Sequence, residues 1–217
     1  MNGLKIWDSQ DTVKGFEQEK KSGLRLDEAM YQTILCNPKK LLDVGCATGN
    51  FYRTLKTFCP NIDYVGIDLA PALVAQAREN HPRTKFFVTN AENLSFFKKN
   101  SFDTVVCAET LYHVENWKKT IKELFRVSSK NIVLSIHASH GKEWFDVSKK
   151  LPYRIFDARE VLKEIKKFHP VSVKGIGLPG IGEKKIKKIL LLFVQKNLEI
   201  PEKKRSCFSP LYFKRHS

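Results

Sequence analysis

The sequence predicts an α/β fold: a mostly parallel sheet with helices on both faces, closed at one edge by an antiparallel pair. Three observations carry this. Short apolar runs at 41–44, 64–67, 85–88, 102–107 and 131–136 alternate with segments whose apolar residues recur at helical spacing. A parallel sheet buried on both faces produces that pattern. After residue 170 two strand-like runs, 171–176 and 189–194, follow each other with no crossover helix between them, which suits an antiparallel pair. Finally, 217 residues with 42% hydrophobic content supply one substantial core. A single domain over 1–197 with a basic tail at 198–217 is therefore expected.

Each element has its own signal. Residues 1–22 are polar and weakly periodic, with Trp7, Val13 and Phe16 as isolated anchors, and read as a lid. Leu26, Met30 and Ile34 define a helix that Asn37-Pro38 ends. The first strand, 41–44, runs into Gly45-Cys46-Ala47-Thr48-Gly49, after which Phe51, Leu55 and Phe58 mark a helix. The second strand ends in Asp68, and Pro71 suits the first turn of the helix through Leu73, Val74 and Ala77. Strand 85–88 leads to Asn90-Ala91-Glu92, and strand 102–107 to a helix marked by Trp117, Ile121, Leu124 and Phe125. Segment 138–156, with Trp144, Phe145 and Tyr153, reads as a substrate-side insertion. Asp157 and Glu160 have the spacing of a capping box, opening a helix through Val161, Leu162, Ile165 and Phe168.

The net charge of +15 is unevenly spread: residues 1–141 hold 19 Lys/Arg against 15 Asp/Glu, and residues 142–217 hold 19 against 8. The basic C-terminal third, with Lys184, Lys185, Lys187 and Lys188, suggests an anionic partner such as nucleic acid. A lysine-rich solvated surface accounts for the same bias, since Lys outnumbers Arg and no RGG-like tract occurs. The five cysteines form no C-x-x-C pair, so no metal site or disulfide framework is expected. That usage suggests a reducing, cytoplasmic setting. The first ten residues have no apolar run of a secretory signal, and the longest apolar stretch, 189–194, is too short to span a bilayer.

In an open parallel sheet, ligands bind beyond the carboxyl ends of the strands. Those ends carry Asp43, Gly45 and Gly49; Asp68; Asn90 and Glu92; Cys107 and Glu109. Asp68 stands 23 residues after Gly45, where a carboxylate can accept bonds from both hydroxyls of a ribose. Asn90 both donates and accepts, which suits an adenine edge.

These residues resemble the ordered motifs of class I S-adenosylmethionine-dependent methyltransferases, in particular the type-11 group that includes ubiquinone and menaquinone methyltransferases. Residues 43–49 look like the first motif, 65–68 the second, 90–92 the third, and 102–107 with Leu111-Tyr112-His113-Val114 the fourth. Two residues depart from the family pattern: Ala47 replaces a glycine, and Asn90 stands where Asp is usual. The resemblance implies a Rossmann-like seven-stranded sheet and S-adenosyl-L-methionine as cofactor. It assigns cofactor contacts to Asp43, Gly45, Cys46, Gly49, Asp68, Leu69, Asn90, Ala91, Glu92 and Cys107.

Methyl transfer requires a nucleophile aligned with the sulfonium, and a general base only if that nucleophile arrives protonated. His113 is the best candidate for a catalytic base, the other reading being the structural histidine that the resembled family often has beside the cofactor; Tyr112 and His137 are further candidates. The sequence Ala108-Glu109-Thr110-Leu111 lacks the Asp/Asn-Pro-Pro-Tyr element of exocyclic-amine methylation, and Cys107 lacks the preceding proline of cytosine C5 chemistry. Oxygen, carboxylate, thiol and activated-carbon acceptors stay open, with a small or lipid-like molecule expected. The alternatives are an RNA-directed methyltransferase using the basic third and a catalytically silent cofactor-binding protein. A nicotinamide dehydrogenase fits less well, because the glycine loop is not G-x-G-x-x-G.

Overall fold

The computed structural model describes residues 8–18, 24–139, 144–146, 153–170, 172–179 and 188–196. Trp7, Lys184, Lys185, Lys187 and the tail at 198–217 lie outside the described residues. So do the side chains of Trp144, Phe145 and Lys188.

Two helices open the described chain, α1 (Gln10–Gln18) and α2 (Leu24–Leu35). They are followed by β1 (Lys40–Val44), α3 (Asn50–Phe58), β2 (Asp63–Asp68), α4 (Pro71–Asn80), β3 (Lys85–Val88) and β4 (Phe102–Cys107). A 3-10 turn (Leu111–His113) leads to α5 (Trp117–Val127) and β5 (Ser128–Ser139). Then come β6 (Trp144–Asp146), β7 (Tyr153–Asp157), α6 (Ala158–Lys166), β8 (Ser172–Pro179) and β9 (Lys188–Gln195).

The sheet runs β3-β2-β1-β4-β5 with all neighbours parallel. Its far side continues through β9, antiparallel to β5, and then β8, antiparallel to β9. These seven strands form the predicted Rossmann-like sheet with its closing pair. The described sheet has nine strands, however, rather than seven. The additional two are β7, parallel to the last residues of β5 (Ala138↔Phe156, Ser139↔Asp157), and β6, antiparallel to β7. Neither is the bounded apolar run that marks β1 to β4 in the sequence. The strand β8 also runs on to Pro179, beyond the predicted end at residue 176. As an edge strand it can carry Gly175, Gly177 and Pro179 without losing a ladder on both sides.

Both faces of the sheet are covered. Leu42, Val44, Val105 and Leu134 join one core cluster, while Leu41, Val106 and Val133 join another. Adjacent residues on one strand thus feed opposite layers, as the two-residue strand period requires. Helix α5 is held to the segment before β4 by Arg126, whose guanidinium donates to Leu94 O (2.6 Å), Phe97 O (2.8 Å) and the Glu123 carboxylate (2.8 Å). Asp157 caps α6 by accepting from Arg159 N at 3.0 Å, close to the predicted capping position. Lys196, from the basic third, donates to the carbonyls of Phe125 and Ser128 and to Asn100, anchoring the end of β9.

Candidate active site

The strand order reverses between β1 and β4, and the crevice beyond their carboxyl ends is where an α/β sheet binds its ligand. The turn after β1 is shaped for close approach. Gly45 and Gly49 have φ of 84° and 82°, and Ala47 adopts 45°. A Cβ on Gly45 would overlap the Thr110 side chain, and one on Gly49 would sit 2.7 Å from His81 Cδ2. The loops after β1 and β4 therefore touch at Gly45, and only glycine fits there.

Asp68 clamps this turn. Its Oδ2 accepts from Ala47 N and its Oδ1 from Ala70 N, both at 3.0 Å. Burial holds the carboxyl above its usual range, against the opposing bonds from the Ala70, Ala47 and Leu69 amides. A carboxylate has about four acceptor sites, so the clamp leaves capacity for a diol. Leu69, beside it, exposes 44% of its surface. Thr48 is fully buried, and its hydroxyl finds no hydrogen-bond partner among the described residues. An orphaned buried hydroxyl within a glycine turn fits a site completed by a polar ligand.

The other predicted cofactor residues fall into two groups. Asn90 Oδ1 accepts from Glu92 N at 2.8 Å, and Ala91 packs against the core. Glu92 Oε1 accepts from Asn116 N at 2.9 Å, tying the loop after β3 to the start of α5. A cavity of about 490 Å³ opens there, lined by Glu92, Glu115, Asn116, Trp117, Lys118 and Arg154. It includes Glu92 but none of the other predicted cofactor residues.

Asp43 and Cys107 lie at the carboxyl ends of their strands, beside the turn, and Cys46 belongs to it, each at 4% exposure or less. Burial pushes the Asp43 carboxyl up to about 7, countered by the Tyr64 hydroxyl that donates to Oδ2 and reinforced by the nearby Asp68 charge. Burial likewise pushes both thiols up, with the Asp43 charge adding to each. Protonated thiols are poor nucleophiles, which agrees with discounting Cys107 for covalent chemistry.

A polar cluster stands beyond β4 and β5. Glu109 adopts φ 55°, a left-handed conformation costing roughly 1–3 kcal/mol for a residue other than glycine. Its amide donates to Ser135 Oγ at 2.6 Å. Its carboxylate accepts from Ser135 Oγ and Tyr112 Oη, each at 3.0 Å, and lies 3.4 Å from His137 Nε2. The other ring nitrogen of His137, Nδ1, is bonded to the Tyr153 hydroxyl. The Tyr112 ring stacks on His137 with centroids 4.1 Å apart and planes 22° from parallel. His113, the predicted base, ends the 3-10 turn with its ring 4.3 Å from that of Tyr112 and 5.9 Å from that of Tyr153.

Sequence reasoning singled out Glu109, Tyr112, His137 and Tyr153 separately, without the contacts that unite them. It missed Ser135, whose only local signal is its position two residues before His137 on one face of β5.

Helix α1 covers part of the glycine turn. Val13 packs with Ala70 and Leu73, with Phe16 and Ala47 against them. Asn50 Nδ2 donates to Phe16 O at 2.9 Å, and Ala72 N to Asp8 Oδ1 at 2.6 Å.

Residues 42–136 match the protein family described as "Methyltransferase domain". The chain is 26% identical over 121 residues to a demethylmenaquinone methyltransferase of Thermotoga maritima, covering 56% of this chain and 51% of that protein. It is 30% identical over 115 residues to a malonyl-[acyl-carrier protein] O-methyltransferase of Legionella pneumophila, covering 52% and 40%. The chain thus spans about half or less of the length of these curated relatives. Among solved structures, it is similar to a Burkholderia thailandensis 1,6-didemethyltoxoflavin-N1-methyltransferase bound to 1,6-didemethyltoxoflavin and S-adenosylhomocysteine. The TM-score is 0.68 at 16% identity, covering 90% of this chain and 87% of that one, a likeness of fold.

Proposed function

We propose that the chain, whose residues 42–136 match a methyltransferase domain and which is similar to a demethylmenaquinone methyltransferase, is a class I S-adenosylmethionine-dependent methyltransferase that transfers a methyl group to a small or lipid-like acceptor. The observation that carries the cofactor assignment is the clamped glycine turn: two left-handed glycines, the Asp68 carboxylate and the orphaned Thr48 hydroxyl converge where β1 and β2 end.

The donor, when bound, supplies a methyl group already activated on a sulfonium sulfur. Asp68 accepts from the ribose hydroxyls with the acceptor sites its amide clamp leaves. Gly45 and Gly49 let the backbone approach the amino-acid portion. Asn90 and Ala91 border the adenine, with one acceptor site of the Asn90 oxygen taken by Glu92 N, so its NH2 is the group offered to a ring nitrogen. Leu69 covers an apolar face of the nucleoside. Asp43 and Cys107 support the turn from their strand ends, Cys46 lies within it, and Glu92 fixes the loop after β3. Helix α1 excludes water from the turn, in the role of a lid.

The small or lipid-like reading draws support from the relative named as a demethylmenaquinone methyltransferase. No specific observation favours the RNA-directed or silent alternatives; among the described basic residues, Lys196 is spent on backbone carbonyls. No helix of the described residues is long and apolar enough to cross a membrane. Calorimetric titration of the full chain with S-adenosylhomocysteine tests the cofactor, and tritiated S-adenosylmethionine with fractionated cell extract tests turnover. Failure to bind would sink the proposal, and binding without any labelled product would favour the silent alternative.

A further inference from the structure

We infer that Tyr153, His137 and Glu109 form a proton relay on the acceptor side of the site, and that the acceptor is a hydroxyl compound that arrives protonated. This rests on the methyl-transfer reading above. Ser135 and His137 project from one face of β5 beyond the β4 end, Glu109 follows β4 by two residues, and Tyr153 opens β7 alongside. The neighbouring Thr110 abuts Gly45, so the cluster shares a wall with the glycine turn.

The bonds set a direction. A neutral imidazole has one donor and one acceptor nitrogen. The Glu109 carboxylate can only accept, so the His137 proton sits on Nε2, which points at it. The other nitrogen, Nδ1, then accepts from the Tyr153 hydroxyl. At 4% exposure, with both nitrogens engaged, His137 does not itself meet an acceptor. Tyr153 and Glu109 are both partly exposed, and Tyr153 is the one whose hydroxyl bonds the proton-accepting nitrogen of His137. Among the described residues, the titratable groups seen to face His137 are Glu109, Tyr112 and Tyr153, with His113 beside the Tyr112 and Tyr153 rings.

The step balances. The acceptor hydroxyl gives its proton to Tyr153 Oη as the Tyr153 proton passes to His137 Nδ1. The acceptor oxygen bonds to the methyl carbon while the carbon–sulfur bond breaks, its electron pair going to sulfur. The positive charge lost by the sulfonium reappears on the imidazolium, beside the Glu109 carboxylate, and the proton later leaves to solvent. A carboxylate or thioether acceptor has no proton to lose and would leave the relay idle. A phenolic or enolic hydroxyl matches the tyrosine in acidity, which favours exchange between them. Tyr153 is thus a catalytic residue, and His137, Glu109 and Ser135 position and charge it.

The test uses the full chain with 15N-labelled histidine, saturated with S-adenosylhomocysteine. The His137 nitrogens should report the Nε2–H tautomer. Observation of the Nδ1–H tautomer would overturn the relay. With tritiated donor and a small-molecule extract, the label should appear on a former hydroxyl oxygen. Tyr153→Phe and Glu109→Gln should each cut kcat about 100-fold or more with S-adenosylhomocysteine affinity unchanged. Wild-type kcat in Tyr153→Phe, label on carboxylate, amine, thiol or carbon, or no product at all would overturn the inference. If S-adenosylhomocysteine fails to bind the wild type, the methyl-transfer reading fails instead, and the tautomer still reports on the relay in the unliganded chain.

Discussion

Asp43→Asn offers a direct measurement of what a buried carboxyl beside the glycine turn costs. Asp43 is 4% exposed and receives one hydrogen bond, from the Tyr64 hydroxyl. Its carboxyl is raised from 3.8 to about 7, burial being the main cause. Between those two pH values the unfolded chain has released the proton and the folded chain keeps it. Folding is therefore linked to proton uptake, and stability falls as pH rises from about 4 to about 7, by up to ~1.4 kcal/mol per pH unit. Across the window the loss amounts to ~4 kcal/mol. Asparagine is nearly isosteric, cannot ionise, and its amide oxygen can still accept from Tyr64. Urea unfolding of both chains at pH 4, 6 and 8 isolates this group, because all other titrations cancel in the difference. The variant should match wild type near pH 4 and exceed it increasingly towards pH 8. A difference that stays constant with pH, or a variant less stable at pH 8, would show that the native carboxylate is ionised throughout and refute the burial argument.

Three further outcomes are expected. Asp68→Ala should weaken S-adenosylhomocysteine binding by more than ~1 kcal/mol by calorimetry, since it removes charged acceptors and releases Ala47 N; wild-type affinity would refute the ribose assignment. Thr48→Val should raise the melting temperature of the ligand-free chain by about 2–4 °C, because an orphaned hydroxyl costs ~1 kcal/mol. The same variant should bind S-adenosylhomocysteine less tightly, and unchanged affinity would exclude the hydroxyl as a ligand contact. Arg126→Ala should cost ~2–3 kcal/mol, since it strips donors from Leu94 O and Phe97 O and leaves Glu123 without its ion pair. Melting curves showing less than about 1 °C of change would contradict that role.

Most of the sheet was legible because its signals are local. Each of β1 to β4 is an apolar run bounded by turn residues, and the glycine turn and Asp68 follow from strand ends alone. The strands β6 and β7 escaped notice because neither is an apolar run: Trp144-Phe145-Asp146 and Tyr153-Arg154-Ile155-Phe156-Asp157 mix apolar and charged residues. The active-site chemistry was only half legible for a different reason. Asp43 and Tyr64 are 21 residues apart, Glu109 and His137 are 28 apart, and His137 and Tyr153 are 16 apart. Such pairs are created by strand register, and no spacing rule within one element encodes them. His113 stood out because it neighbours Tyr112 in sequence, whereas the partners of His137 come from other elements.

The place of β9 in the sheet also bears on how the chain is made. Strand β5 completes its pairing only with β9, from Ala138↔Lys188 to Asn131↔Gln195. A nascent chain must therefore lengthen by at least 50 residues after Ala138 emerges before that edge can close. At about 5–20 residues per second, the delay is roughly 3–10 s. Through that interval Ile132, Val133, Leu134 and Ile136 lie on an open strand edge, a template for pairing with another chain. The parallel half of the domain can be assembled while the apolar run 132–136 of β5 still has an open edge. Chaperone demand during synthesis should concentrate there, and a chain truncated before Lys188 should aggregate through β5.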